Sequence, residues 1–154
     1  MFSVVHIHLA LNHSPLYTET FAFFFLLVGI IRRNRTLITS GFVIAIIAAL
    51  CAIAADTTGD GAADFVKHAN PPLGGVDINA ISPHDDAAGI FLIAGCITGG
   101  LAIIALWWGH RRERPRWTEV VVLIAIAISL ALVGRVALLG GRIHHQEVRA
   151  VVQG

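Results

Sequence analysis

The sequence predicts an all-α integral membrane protein: an up-and-down bundle of four helices with both chain termini on the non-cytoplasmic side. Of its 154 residues, 56% are hydrophobic and 14% are charged, whereas a soluble domain is about half apolar and a quarter charged. Four apolar runs are long enough to cross a bilayer, which takes roughly 17–25 helical residues. Because the bilayer core offers no water to the backbone, each run must be a helix.

The composition also excludes several classes of function. The mean hydropathy of +0.75 and the net charge of +1 exclude a disordered chain and a nucleic-acid-binding domain. The sequence shows no nucleophile–base pair, no phosphate-binding glycine loop and no transporter-like pair of broken helices, so we expect no catalytic activity from this chain alone. Residues 1–154 are predicted to form one domain.

The four predicted spans are separated by two short basic turns and one long polar loop. In the first span, Ser14 is predicted to cap the helix and Pro15 to occupy its first position. A basic turn at 32–35 separates the first two spans, a loop at 56–86 follows the second, and a basic turn at 110–116 joins the last two. The predicted spans are 15–31, 36–55, 87–108 and 117–139.

The distribution of basic residues predicts the orientation. The two short turns contain seven of the eleven lysines and arginines. Cytoplasmic loops carry an excess of these residues, so both turns are predicted to be cytoplasmic. The termini and the 56–86 loop would then face outward, and a bacterial inner membrane is the expected location.

The 56–86 loop contains every aspartate of the chain. Asp56, Asp60, Asp64 and His68 recur every four residues, so they would share one face if the second span continued outward as a helix. Two glycines at 59 and 61 argue against that continuation, because glycine is a poor helix former.

Other polar or small residues lie inside the spans. Gly95 and Gly99 form a small-xxx-small pair, which predicts close packing between helices. Glu19 and Arg135 each lie roughly 10 Å inside the outer boundary, at about 1.5 Å per residue. Charges in spans are costly and are usually paired in the bundle interior. We therefore expect a Glu19–Arg135 interaction, or a contact of Arg135 with an anionic group of a ligand.

Seven of the eight histidines are predicted to lie at the outward end. Bis-histidine ligation of haem b needs two imidazoles on opposed helices, and alternate spans of an up-and-down bundle are diagonal. This predicts His13 with His84 as the first pair of iron ligands, and His68 with His144 or His145 as another. His8 is a further candidate, and Arg135 would meet a haem propionate. The favoured function is a membrane subunit that binds haem b and passes electrons to a partner protein or a quinone.

Two other functions remain open from the residues alone. Asp64 with His68, and the run His84-Asp85-Asp86, are plausible ligands for zinc, copper or iron. Alternatively, the chain is a scaffold or anchoring subunit without a cofactor, which packs in the bilayer against other membrane or periplasmic subunits.

The outward histidines lie in short segments that resemble a family of small, predicted four-helix membrane proteins, the domain of unknown function 2231. His8 to Pro15 resembles the opening His-Pro-x-x-Val-His-Phe-Pro segment of that family, and Phe65-Val66-Lys67-His68 resembles its Phe-Val-x-His. His84-Asp85-Asp86 is similar to its His-acidic entry into the third span, and Gly140-Gly141 to its late Gly-Gly. The resemblance implies the four-span bundle and singles out His8, His13, His68 and His84, but it implies no function.

Overall fold

The computed structural model describes residues 4–69, 74–111 and 115–144, which form helices and connecting turns without a strand. The helices are α1 (Val4–Leu11), α2 (Ser14–Arg32), α3 (Arg35–Lys67), α4 (Ile81–Arg111) and α5 (Arg116–His144), with a 3-10 turn at Ile78–Ala80 before α4. Four helical stretches are long and apolar enough to cross a membrane: Val4–Arg32, Arg35–Lys67, Ile78–His110 and Arg116–Ile143. The all-helical prediction and the four candidate spans are thereby confirmed.

The chain forms two helical hairpins that pack side by side. The first hairpin comprises α1, α2 and α3, and the second comprises the 3-10 turn, α4 and α5. Contacts between α2 and α3, α3 and α4, α4 and α5, and α2 and α5 make a closed ring, so α2 lies diagonal to α4 and α3 to α5. We call the end with α1 and the 3-10 turn the histidine end, and the end with the turns after α2 and α4 the arginine end.

The turn after α2 at the arginine end is as tight as the sequence predicts. Arg33 adopts a left-handed conformation with φ 52°, and the backbone N–H of Asn34 donates to the carbonyl of Gly29 at 2.9 Å. The Asn34 side chain then caps α3 by accepting a hydrogen bond from the backbone N–H of Leu37 at 3.1 Å. One residue in the left-handed region is enough to reverse the chain.

Two predictions about helix ends are wrong. Ser14 is not the cap of α2: His13 occupies that position, and the Ser14 hydroxyl donates to the carbonyl of Leu11 at 2.6 Å. The 56–86 segment is not a loop throughout, since α3 continues to Lys67 and α4 begins at Ile81. The shared face of Asp56, Asp60, Asp64 and His68 therefore exists up to the end of α3.

The extended part of α3 contains Gly59 and Gly61, the two glycines that argue against a helix there in the sequence. A Cβ at Gly61 would lie 2.9 Å from Cγ2 of Val4, and one at Gly59 would lie 3.2 Å from Cε1 of His8. Both glycines thus let α1 pack directly on α3. Tertiary contact with α1 outweighs their low helix propensity, which costs about 1 kcal/mol each.

The two hairpins bury corresponding positions. Counted from His8 and His84, every buried position of α2 coincides with a buried position of α4: Pro15, Glu19, Ala22, Leu26 and Gly29 match Phe91, Gly95, Thr98, Ala102 and Ala105. Counted from Ala55 and Val136, Gly41, Ala45, Ala48 and Ala52 of α3 match Val122, Ile126, Ser129 and Val133 of α5. The fold is therefore an internal repeat of one hairpin plan.

Candidate ligand site at the histidine end

A cavity opens between the two hairpins at the histidine end. Its empty volume is about 590 Å³, which includes solvent at its mouth. Apolar side chains from all four long helices line its inner part: Pro15, Ala52, Phe91 and Val133. Its polar lining consists of His8, Asn12, Asp56, Asp60, His84 and Asp85. The lining therefore contains two imidazoles and three carboxyl groups, with no lysine or arginine among the described residues.

His8 is held on the α3 side of the cavity by a backbone carbonyl. Its Nδ1 atom lies 3.1 Å from the carbonyl oxygen of Ala55 and 3.3 Å from Oγ1 of Thr58. A carbonyl oxygen only accepts, so Nδ1 carries the hydrogen, and the lone pair of the neutral ring is on Nε2. Gly59, one turn beyond Ala55, gives the ring room against α3.

His84 is held in the same way by α5. Its Nδ1 atom lies 3.1 Å from the carbonyl oxygen of Val136. Gly140 follows Val136 by one turn, and a Cβ at Gly140 would lie 3.2 Å from Cε1 of His84. Each hairpin thus repeats one arrangement. A histidine from its N-terminal half forms a hydrogen bond with a backbone carbonyl of the second long helix of the same hairpin, and a glycine lies four residues after that carbonyl. We call these arrangements the two histidine sockets.

Both sockets show a hydrogen bond that is common at metal-binding histidines. Histidines that bind metals almost always donate their other ring N–H to a carbonyl or carboxylate, which fixes the tautomer and the ring orientation. His8 and His84 both show this bond and line one cavity from opposite hairpins. A centre between them would be bound by two Nε2 atoms.

Of the histidines that the sequence predicts as ligands, His84 lines the cavity but His13 does not. His13 is exposed and lies beside Tyr17, with ring centroids 6.4 Å apart, so the structure does not bring it to the cavity with His84. His8 takes the position opposite His84 instead. The reason is that α1 is helical and continues the course of α2 along α3, which carries His8 inward and leaves His13 at the junction of α1 and α2.

The alternative pair Asp64 and His68 lies at the exposed end of α3. Nδ1 of His68 is 3.1 Å from Oδ1 of Asp64, and both side chains are about three-quarters exposed. His145 and the side chain of His144 lie outside the described residues, so the pairing of His68 with either stays a prediction. Among the residues that the structure describes, no three His, Cys, Asp or Glu side chains come together as a group able to hold a metal ion.

The predicted Glu19–Arg135 interaction is wrong. Glu19 is completely buried, and its Oε1 atom accepts a hydrogen bond from Oγ of Ser129 at 2.7 Å. Its Oε2 atom has no hydrogen-bond partner in the described structure. Arg135 is exposed on α5 and does not line the cavity. The helical rotation of α5 turns Ser129, not Arg135, toward the interior.

Sequence reasoning missed two polar groups of this region. The amide oxygen of Asn12 is buried without a hydrogen-bond partner at the cavity, and Ser129 is buried against Glu19. Neither residue type is unusual at such a position, so only the three-dimensional arrangement identifies them.

No protein-family profile, no curated protein and no solved structure matches this chain. The resemblance to the domain of unknown function 2231 therefore stays a prediction.

Proposed function

We propose that the chain is an integral membrane protein that binds haem b between His8 and His84 and serves as an electron-transfer subunit. The observation that carries this proposal is the matched pair of histidine sockets, one in each hairpin, at a common cavity. Haem iron takes axial imidazole ligands from the protein and its other four from the porphyrin. A centre that needs two protein ligands suits a site that offers one imidazole from each hairpin.

The proposed orientation places the histidine end outside a bacterial inner membrane. The helices are compatible with a membrane protein, and the arginine end contains the two basic turns, which favours a cytoplasmic position for it. At about 1.5 Å per residue, the 33 residues of α3 extend roughly 50 Å, well beyond a hydrocarbon core of about 30 Å. The cavity would then lie near the outer interface, where a periplasmic partner or a quinone can approach it.

Absorption spectra of the purified protein test the haem proposal. We expect a Soret band that shifts on reduction with dithionite in the wild-type protein. His8→Ala and His84→Ala should each lose the band or its low-spin form, because each removes one axial ligand. His13→Ala is the matched control, since His13 is exposed and away from the cavity. A fully recovered, folded protein without a Soret band would contradict haem binding.

A divalent metal ion is the second candidate, and the charge of the cavity favours it. Asp56, Asp60 and Asp85 line the cavity together with the two histidines, which attracts a cation and opposes haem propionates. The nearest described basic group is Lys67, whose Nζ lies 3.9 Å from Oδ2 of Asp85 at the rim. Such an ion would bind the two Nε2 atoms and water, and the carboxylates would attract it by their charge, since no three such side chains are grouped as ligands in the described structure.

Elemental analysis separates the two candidates. A metal without porphyrin absorption, whose content falls in both His8→Ala and Asp56→Asn, would support the ion. Haem binding instead predicts that Asp56→Asn leaves the spectrum unchanged. A colourless preparation without bound metal would overturn both candidates.

A further inference from the structure

Glu19 is a carboxyl group in the centre of the bundle that the proposed ligand site does not use. It lies on α2 with none of its surface exposed. Ser129 of α5 donates to one of its oxygens at 2.7 Å, and its other oxygen has no hydrogen-bond partner. A buried carboxylate with an unpaired oxygen is costly, whereas a carboxyl group that holds a proton is not charged. The arrangement suits a group that carries a proton.

The fold itself does not require this carboxyl group. In the internal repeat, Glu19 corresponds to Gly95 and Ser129 corresponds to Ala48, so the equivalent place in the bundle is filled without any polar side chain. The same backbone plan is therefore compatible with an apolar layer. Packing of the bundle therefore does not explain why Glu19 and Ser129 occur on one side of it.

The cavity ends about one helical turn short of this carboxyl group. Pro15 and Val133 line the inner part of the cavity, and Glu19 and Ser129 follow them one helical turn further in, on α2 and α5. One turn is about 5.4 Å along the helix axis. Glu19 therefore lies one helical turn further into the bundle than Pro15, which lines the cavity, and is not itself among the lining residues.

We propose that Glu19 is a proton-binding site inside the membrane and exchanges its proton with water in the cavity. The proton moves between water and the carboxyl group, and no bond other than O–H forms or breaks. This inference does not depend on haem or a metal in the cavity, because it concerns only the chain's own carboxyl group. In the presence of a redox centre, the same site would supply a proton close to the electron.

Five titratable groups lie at the cavity, on the side of Glu19 that faces the histidine end. His8, Asp56, Asp60, His84 and Asp85 line the cavity on the outer side. At the level of Glu19, α3, α4 and α5 contribute Ala48, Gly95 and Ser129, none of which titrates in this range.

Infrared spectroscopy of membrane-reconstituted protein labelled with 13C-glutamate tests the proposal. We expect a protonated-carboxyl C=O band that shifts with the label, moves in D₂O and disappears in Glu19→Gln. Asp64→Asn, which changes an exposed carboxyl group on α3, should leave the band intact. A label-sensitive band that persists in Glu19→Gln, or wild-type protein with no such band at any pH where it is folded, would overturn the proposal.

Ser129→Ala keeps the test independent of whether Glu19→Gln folds. Removal of the Ser129 hydroxyl should shift the frequency of the labelled band, because Ser129 donates a hydrogen bond to the carboxyl group of Glu19. An unshifted band would assign it to another glutamate and contradict the proposal.

The route is tested by the rate of deuterium exchange into the same band. Ala88→Leu adds a large side chain to the cavity lining and should slow exchange several-fold. Ile90→Leu, at an exposed position of α4, should not. Equal exchange rates in the wild-type protein and Ala88→Leu would contradict access through the cavity.

Discussion

The two interfaces between the hairpins are built in opposite ways. Between α3 and α4, the backbones approach so closely that a Cβ at Gly99 would lie 2.7 Å from Cβ of Ala49, and one at Gly95 would lie 3.7 Å from Cβ of Ala52. Between α2 and α5, the corresponding layer holds the buried pair Glu19 and Ser129. One interface is therefore determined by shape, and the other by a hydrogen bond.

This difference shows where the repeated hairpin plan is free to vary. Close contact of small residues leaves no space for a polar side chain, and it orients α3 and α4 against each other. The opposite interface has room for a carboxyl group and its partner. The α3–α4 interface thus stabilises the bundle through close packing. The α2–α5 interface instead carries an ionisable group, the carboxyl group of Glu19.

Replacement of Gly99 should produce the largest loss of stability. Gly99→Leu places a side chain where Ala49 already lies, and we expect a loss of about 3 kcal/mol, at the upper end for overpacked cores. Unfolding in mixed micelles with increasing sodium dodecyl sulfate measures it. Gly100→Leu is the matched control, because a Cβ there meets nothing within 4 Å. Equal losses in the two variants would show that the α3–α4 interface is not determined by shape.

Replacement of Ser129 should have a smaller effect. Ser129→Ala leaves both oxygens of the buried Glu19 without a donor, which should cost about 1–3 kcal/mol. The double variant Glu19→Leu, Ser129→Ala makes this layer apolar like its counterpart and should recover most of that loss. The same unfolding assay provides the comparison. A double variant less stable than Ser129→Ala would mean that the polar pair itself stabilises the bundle.

The smallest effect on stability is expected at the histidine sockets. Gly140→Ala places a Cβ 3.2 Å from Cε1 of His84, so the ring must shift by a few tenths of an ångström. Stability should change by less than about 1 kcal/mol, since alanine also favours the helix. Binding of the ligand should nevertheless weaken about tenfold or more, as when outer partners of a metal ligand are changed.

Gly134→Ala is the control for this variant, because it lies on the same helix with nothing within 4 Å of the added Cβ. Ligand titrations of the two variants, followed by absorbance or bound metal, should separate them. If both bind as the wild-type protein does, the socket does not position His84.

The sequence predicted the fold well because its signals are local. Length and hydropathy identify the spans, and Arg33 and Asn34 identify the tight turn between α2 and α3. The prediction failed at Gly59 and Gly61, where contact with α1 overrides the weak helix propensity of glycine. Since that contact joins residues about fifty positions apart, no local pattern reveals it.

The candidate site was only partly predictable for the same reason. The concentration of histidines at one end follows from topology, and His8 and His84 were among the candidates. Which histidine faces His84 depends on the fold of α1, and the partner of Glu19 depends on the rotation of α5. The internal repeat is also hidden in the sequence, because no pair among the corresponding buried positions of α2 and α4 is identical.

Each histidine socket is formed within its own hairpin, and this has a consequence for the order of assembly. His8 bonds a carbonyl of the first hairpin, and His84 bonds a carbonyl of the second. Each ring can therefore be oriented as soon as its own hairpin has formed, before the halves meet. Association of the halves would then bring two already oriented imidazoles to the cavity in one docking step.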